Sequence, residues 1–208
     1  MKKSLLLLFP LIFISCASFN PGNVDYRSAL TSPRSKSNDS VFVFVKQYSV
    51  QEAKLIFDTD FRYEDFEPIY VSIFNRSNYN ILVVPQSFIG FTDLVQVYKE
   101  TKSSPFSYFL IWSTPWVINI VAGWPIYYGI AWPIFGGIAM GKTSGANTKR
   151  EEFYKSVALK ETEILNGQEV YGIVFIKKTK EENIVIQLQR NGSPIEFYFK
   201  NNTEMFFK

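Results

Sequence analysis

From Ser103 to Gly141 the chain carries no charged side chain, and Lys102 and Lys142 stand at its two ends. All four tryptophans, Trp112, Trp116, Trp124 and Trp132, fall inside this stretch. Such a run exceeds the ~18 residues that mark a membrane candidate, and core helices seldom stay uncharged for so long. A single crossing would put residues 41–101 and 150–208 on opposite sides of a bilayer, although both read as halves of one strand-rich domain. An even number of crossings removes that conflict. Gly123-Trp124-Pro125 supplies a turn near the middle, because glycine permits unusual dihedrals and proline stops the preceding helix. Two arms of 17 residues remain, Phe106–Ala122 and Trp124–Met140. As a helix each arm spans about 25 Å, against a hydrocarbon thickness of ~30 Å. The expectation is a hydrophobic helical hairpin inserted over 102–141, re-entrant or just spanning, with membrane-contacting tryptophans at the interface.

Pro115, Pro125 and Pro133 interrupt the arms, which a membrane tolerates where neighbouring groups satisfy the freed carbonyls. Gly137 and Gly141 form a GxxxG that would let the arms approach closely. Trp124-Pro-Ile-Tyr-Tyr-Gly-Ile-Ala is repeated, with changes, from Trp132. Eight residues turn a helix about 80° beyond two turns, so the repeats do not share a helix face.

The chain opens on Met1-Lys-Lys, then ten apolar residues from Leu5 to Ile14, the pattern of a secretory signal too short to span. It ends in Phe13-Ile-Ser-Cys16, and Cys16 is the sole cysteine among 208 residues. These residues resemble the lipobox of bacterial lipoproteins, in the looser, spirochaete-like form. Ser15 fits the pattern, while Phe13 and Ile14 are bulkier than usual. The resemblance implies cleavage before Cys16 and thioether- and amide-linked acyl chains, palmitate among them, on that residue. Ala17 in place of aspartate is compatible, in that family, with export to the outer membrane. The expected location is therefore the bacterial cell envelope, lipid-anchored, with membrane lipid as a partner.

A single cysteine excludes a disulfide within the chain. Without residues 1–15 the chain has 193 residues, enough for one domain plus the hairpin. Its side-chain balance is then 20 basic against 19 acidic, no electrostatic footprint for nucleic acid. Residues 16–40, rich in Ser, Asn, Pro and Gly, read as a lipidated flexible tether. Its Arg27, Arg34 and Lys36 would at most brush anionic headgroups.

Residues 41–101 and 142–208 read as the folded domain. Val41–Val45 and Phe66–Phe74 are strands, the latter with Ile69, Val71 and Ile73 facing inward. Between them Ser49 and Glu52 form a capping box that starts a short helix to Phe57. Asn75-Arg-Ser-Asn78 is a turn, followed by a strand at Ile81–Val84 and further strands near Ser87–Phe91 and Leu94–Tyr98. Gly141–Arg150 reads as a polar connector. Strands resume near Val157–Ile164, then after a hairpin-type turn at Asn166-Gly167 come Val170–Lys177, Asn183–Gln189 and Ile195–Lys200. About nine short strands and one short helix fit a mainly β fold, a β-sandwich. The order also resembles bacterial lipoproteins of uncharacterised role with an immunoglobulin-like sandwich. There a segment like Tyr48-Ser49…Glu52-Ala53…Phe57 precedes a strand ending in a turn like Asn75-Arg-Ser77. A segment like Leu165-Asn-Gly167…Gly172-Ile-Val-Phe175 opens a late strand. The resemblance covers residues 41–100 and 150–200 and implies fold and location, with no catalytic residues.

The chain has no histidine, which removes the commonest general base, the serine–histidine triad and the usual zinc ligands. Gly136…Gly141-Lys142-Thr143 matches GxxxxGK[ST], but that loop needs a strand before it and a helix start after it. Neither is expected, and no later apolar strand ends in Asp for magnesium. Asp58, Asp60, Glu64, Asp65 and Glu67 read as a solvated face; they lack the glycine and terminal glutamate of an EF-hand, the calcium alternative. Ser103 and Ser104 adjoin Lys102, a spacing without useful serine–lysine geometry. No enzymatic activity, cofactor or metal site is expected. Two readings of function follow. One is a membrane-anchored envelope lipoprotein with a structural or partner-binding role. The other is a ligand- or protein-binding sandwich whose hairpin docks into an envelope or membrane protein rather than into lipid.

Overall fold

The structure, a computed structural model, describes residues 18–104, 127–179 and 181–201, and gives no side-chain surroundings for 127–139. The strands are β1 (Lys36–Asn38), β2 (Val41–Gln47), β3 (Phe66–Asn75), β4 (Ile81–Val83), β5 (Thr162–Ile164), β6 (Glu169–Lys177), β7 (Asn183–Arg190) and β8 (Ser193–Lys200). The helices are α1 (Val50–Phe57), α2 (Leu94–Thr101) and α3 (Tyr127–Val157), with 3-10 turns at Phe61–Tyr63 and Pro85–Ser87. The described residues divide into two compact units, 18–20 with 102–104 and 127–152, and 21–101 with 153–201.

The larger unit is mainly β. Two antiparallel sheets, ordered β1-β2-β3-β6 and β5-β4-β7-β8, contribute to one apolar core. Alternation dictates who enters it: Val41 and Val43, Ile69, Val71 and Ile73 from one sheet, Ile184, Ile186, Leu188, Ile195, Phe197 and Phe199 from the other. Two-residue turns close the hairpins of β1–β2 and β7–β8. Asp39 and Ser40 have φ of 49° and 64°, Asn191 and Gly192 of 50° and 78°, the doubly positive pair of a type I′ turn.

Several sequence expectations are corrected. Ile69, Val71 and Ile73 of β3 face the core as expected, but the strand's other side is covered too, with Phe66, Tyr70 and Ser72 buried. Its outer side carries a second, aromatic core. The Phe57 ring of α1 lies 5.7–6.1 Å from those of Tyr48, Phe61, Phe153, Tyr154 and Phe175. Edge-to-face pairs of this kind add about 0.5–1.5 kcal/mol each beyond area burial. The capping box of α1 forms as read, Ser49 Oγ accepting from Glu52 N–H and Glu52 from Ser49 N–H. Its carbonyls at Leu55 and Ile56 are satisfied by Gly22 N–H, 3.0 Å from each. A Cβ at Gly22 would stand 2.7 Å from the Leu55 oxygen, so only glycine fits there.

Thus residues 21–35, read as tether, form part of the fold. Ala29 is fully buried and Val24 nearly so. The missing apolar area that predicted flexibility is replaced by hydrogen bonds to distant polar side chains, described below. Residues 85–87 form a 3-10 turn and 94–101 a helix, not the two strands expected. Asp93 starts that helix, its Oδ1 accepting from Val95 N–H at 2.7 Å, and Val97 is its buried anchor. The expected connector 141–150 is helical within α3. Thr143, Asn147 and Arg150, four and three residues apart, share its buried side. Asn147 clamps Ser103, accepting from its N–H at 3.1 Å and donating to its C=O at 2.7 Å. The Asn166-Gly167 turn does not close a hairpin, since β5 and β6 belong to different sheets. Instead Gly167, at φ 81°, donates to Asn75 C=O at 2.7 Å and docks the sheet crossover on the end of β3. The strand expected over Val157–Ile164 shortens to β5. Among the described residues there are therefore eight strands, against the nine expected, and three helices, where one short helix and a helical hairpin were expected.

Candidate functional site

One cleft of about 830 Å³ opens in the sandwich unit. Its sides are residues 27–36, the end of β2 (Val45, Lys46, Gln47), Glu52 of α1, and Ile184, Phe199 and Lys200 of β7 and β8. Five cationic residues line it, Arg27, Arg34, Lys36, Lys46 and Lys200, against the single carboxylate of Glu52. The lining thus sums to +4 in a chain whose whole formal charge is +3, so the remainder sums to −1. Positive charge is concentrated here rather than spread.

The first wall is rigid because of what holds residues 27–36. Tyr70 Oη donates to the Arg27 carbonyl at 2.7 Å and accepts from Arg27 N–H at 3.0 Å. Burial pushes the Tyr70 phenol up to about 12, so it remains a donor. Glu169 accepts from Ser28 Oγ at 2.9 Å, Ala29 N–H at 2.6 Å and Ser72 Oγ at 2.6 Å. A carboxylate taking three such bonds is a strong latch. Ser35 Oγ closes the loop on the Ala29 carbonyl. Lys36 donates to the Tyr198 carbonyl and stands 5.4 Å from the Phe199 ring centroid.

The cations are not equally committed. Lys46 pairs with Glu52 at 3.1 Å and stands 5.0 Å from the Tyr48 ring centroid. Burial pushes the Glu52 carboxyl up, but hydrogen bonds from Ser49 N–H and Lys46 outweigh it and hold it below the usual range. Glu52 is therefore ionised at neutral pH and already neutralised. Arg27 pairs with Asp25 at 2.9 Å, both half-exposed, a contact of at most ~1 kcal/mol. Arg34 and Lys200 are exposed and make no ion pair among the described residues. The floor beneath them is apolar, from Phe44, Val45, Ile184 and Phe199. Such a cleft attracts anions and repels metal ions.

The acidic group at 58–67 does not act as one solvated face. Asp60 pairs with Arg62, whose hydrogen bonds hold it at about 2. Glu67 is 1 % exposed. Its Oε1 accepts from Gln47 Nε2 at 3.3 Å, and its Oε2 has no partner among the described residues. Lys178, brought alongside by the pairing of Phe66 with Lys177 across β3 and β6, donates to the carbonyls of Phe61, Arg62 and Glu64, at 3.3 Å for Arg62 and 2.8 Å for Glu64. Burial raises the Glu67 pKa, and Gln47 and Lys178 only partly oppose it. A carboxyl raised in the fold contributes most stability below its unfolded pKa, and this is lost as pH rises through its folded value. Glu67→Gln is therefore expected to stabilise the protein by about 1 kcal/mol at pH 7. The gain should shrink toward pH 4, as read from urea midpoints at both pH values. A gain independent of pH would show that Glu67 is not the titrating group.

Of the residues singled out from the sequence, Cys16, Trp112, Trp116 and Trp124 lie outside the described residues, and so does the first arm of the hairpin. Trp132 lies within α3, with Gly137 and Gly141. Gly136 to Thr143 also lies inside α3, where backbone N–H groups serve the helix, so no phosphate loop forms. Among the described residues no three His, Cys, Asp or Glu side chains converge as a metal set, and no helix is long and apolar enough to cross a membrane. Arg27, Arg34 and Lys36 stand out in the sequence as basic, but Lys46 and Lys200 complete the cleft from strands far along the chain. No short-range pattern announces that convergence. Compared with protein-family models, with curated proteins and with solved structures, the chain matches none.

Proposed function

We propose that the protein is a membrane-anchored envelope lipoprotein with no enzymatic activity, held by acyl chains on Cys16 and presenting a binding sandwich. The observation that carries the reading is the signal of Met1–Ser15 ending at the chain's sole cysteine. One acyl chain binds a bilayer only marginally, so two or more, or a chain plus another signal, are needed for a stable hold. The acyl chains on Cys16 meet that condition by themselves, so membrane contact through Trp112, Trp116, Trp124 and Trp132 would do more than anchor, fixing the domain's orientation or packing against a membrane partner, with the outer membrane as its setting.

The strand order supports an immunoglobulin-like identity for the sandwich. Lettering β2 to β8 as A to G gives A-B-E facing D-C-F-G. This is the immunoglobulin partition of ABED and CFG with the fourth strand moved to the other sheet. The insertion carrying α2 and α3 then falls between strands C and D.

The alternative, a hairpin docked in an envelope or membrane protein, draws on one observation. The helix α3 carries Lys142, Lys149, Arg150, Glu151, Glu152 and Lys155 in its second half, and does not qualify as a crossing helix. Alkaline carbonate extraction of Cys16→Ser membranes separates the two. Retention in the pellet is the expected result for lipid insertion by the uncharged segment. Release into the supernatant would overturn that insertion and turn attention to a protein that covers the segment.

A further inference from the structure

We infer that the cleft between residues 27–36 and the ends of β2 and β8 is an anion site for a phosphate ester, of the kind carried by a phospholipid headgroup or a free sugar or glycerol phosphate. This goes beyond the anchoring proposed for Cys16 and does not depend on it.

Charge, size and shape converge on that class. The lining is +4, and its only carboxylate is already bonded to Lys46 and to the start of α1. Arg34 and Lys200 line it from different parts of the chain, the 27–36 loop and the end of β8, and both are exposed. Arg27 faces the same space with its backbone held at both ends by Tyr70. A guanidinium presents paired N–H donors that match phosphate oxygens, whereas an ammonium adds a point charge, so a mixed arginine–lysine ring suits a phosphate better than a lone carboxylate. Ser32 adds a neutral hydrogen-bonding group, whereas the Gln47 amide is already given to Glu67 and Asn201. The volume of about 830 Å³ lies in the range of small-ligand clefts and is too confined for a nucleic-acid duplex. Phe44, Val45 and Phe199 give the floor an apolar patch that a simple ion would not use, but glycerol or sugar carbons would.

Preorganisation strengthens the case. The latch of Glu169 on Ser28 and Ala29 fixes the loop that carries Arg34, although Ser72 and Glu169 lie on its far, sheet side. Holding cations close together without an anion costs Coulomb repulsion, and a bound phosphate relieves it.

The test uses the full chain in nanodiscs of zwitterionic phosphatidylcholine, with amide hydrogen exchange read over 27–36 and 196–200. In one arm the discs also contain phosphatidylglycerol. In the other, glycerol 3-phosphate is titrated into discs of phosphatidylcholine alone. Slowing of about ten-fold is expected in at least one arm. Slowing in the first arm alone identifies a lipid headgroup, and in the second a free phosphate ester. Arg34→Glu with Lys200→Glu is expected to abolish it and leave exchange in β3 unchanged. Lys54→Glu with Lys99→Glu, the same charge change at exposed sites outside the cleft, should leave it intact. No slowing in either arm, or slowing that survives Arg34→Glu with Lys200→Glu, would overturn the site. Loss of the Cys16 anchor in the fractionation experiment would leave this result untouched, so the two readings fail separately.

Discussion

Gly172→Ala is expected to lower the stability of the sandwich unit by about 3 kcal/mol. A Cβ at this position would stand 2.5 Å from the backbone N and Cα of Leu159 and 2.9 Å from the carbonyl carbon of Ala158. These are backbone atoms, which cannot swing aside as the end of a long side chain would. They are also held in place: Leu159 N–H donates to Ile173 C=O at 2.9 Å, and Ala158 bridges Ile173 in parallel. The chain leaving α3 thus runs along the outer edge of β6 and needs Gly172 to do so. That edge would otherwise show unpaired groups to any other strand. Along the same edge, Lys177 N–H donates to Gly90 C=O and Thr92 N–H to Phe175 C=O, at 2.6 and 2.8 Å. Urea denaturation of the purified chain measures the loss. Gly167→Ala is the comparison: its site is open but has φ of 81°, so only the left-handed strain of about 1–2 kcal/mol applies. A Gly172→Ala protein as stable as wild type would mean that residues 158–159 do not cross there.

Glu169→Ala should cost about 2–4 kcal/mol and release residues 27–36 from the sheet. The carboxylate loses its bonds from Ser28, Ala29 and Ser72 together. Ala29 is fully buried, and its N–H would keep only Ser72 Oγ at 3.0 Å. Exchange at the Ala29 amide should therefore rise more than exchange at β3. Glu169→Gln keeps one oxygen acceptor and is expected to fall between the two. An Ala29 amide as protected in Glu169→Ala as in wild type would show that the latch is not what holds the loop.

These two sites explain what the sequence allowed to be read and what it hid. The strands β2, β3, β6, β7 and β8 were legible because alternation over seven to ten residues is a local signal. The capping box was legible because Ser49 and Glu52 lie within one helical turn. Residues 21–35 were not, because their composition lacks apolar area and their partners are Tyr70, Ser72 and Glu169, up to 141 positions away. The helix α2 was misread because Leu94, Val95, Val97 and Tyr98 fit a short strand as readily as a helix. Asp93 was the cue that decided it. In α3 the composition of Gly141–Asn147 argued for a loop, since each glycine costs a helix about 1 kcal/mol. The buried side of Thr143, Asn147 and Arg150, and the clamp on Ser103, offset that cost. The cleft was half legible: three of its cations cluster within ten residues, but Lys46 and Lys200 reach it only through the stacking of β2 against β8.

The claim that most of the functional reading rests on is acylation of Cys16. Intact-mass and N-terminal peptide mass spectrometry of the protein isolated from bacterial membranes tests it most directly. The account predicts a mature chain that begins at Cys16 and carries diacylglyceryl and amide-linked acyl mass on that residue. A chain that begins elsewhere, or an unmodified Cys16 thiol in the membrane-isolated protein, would contradict it.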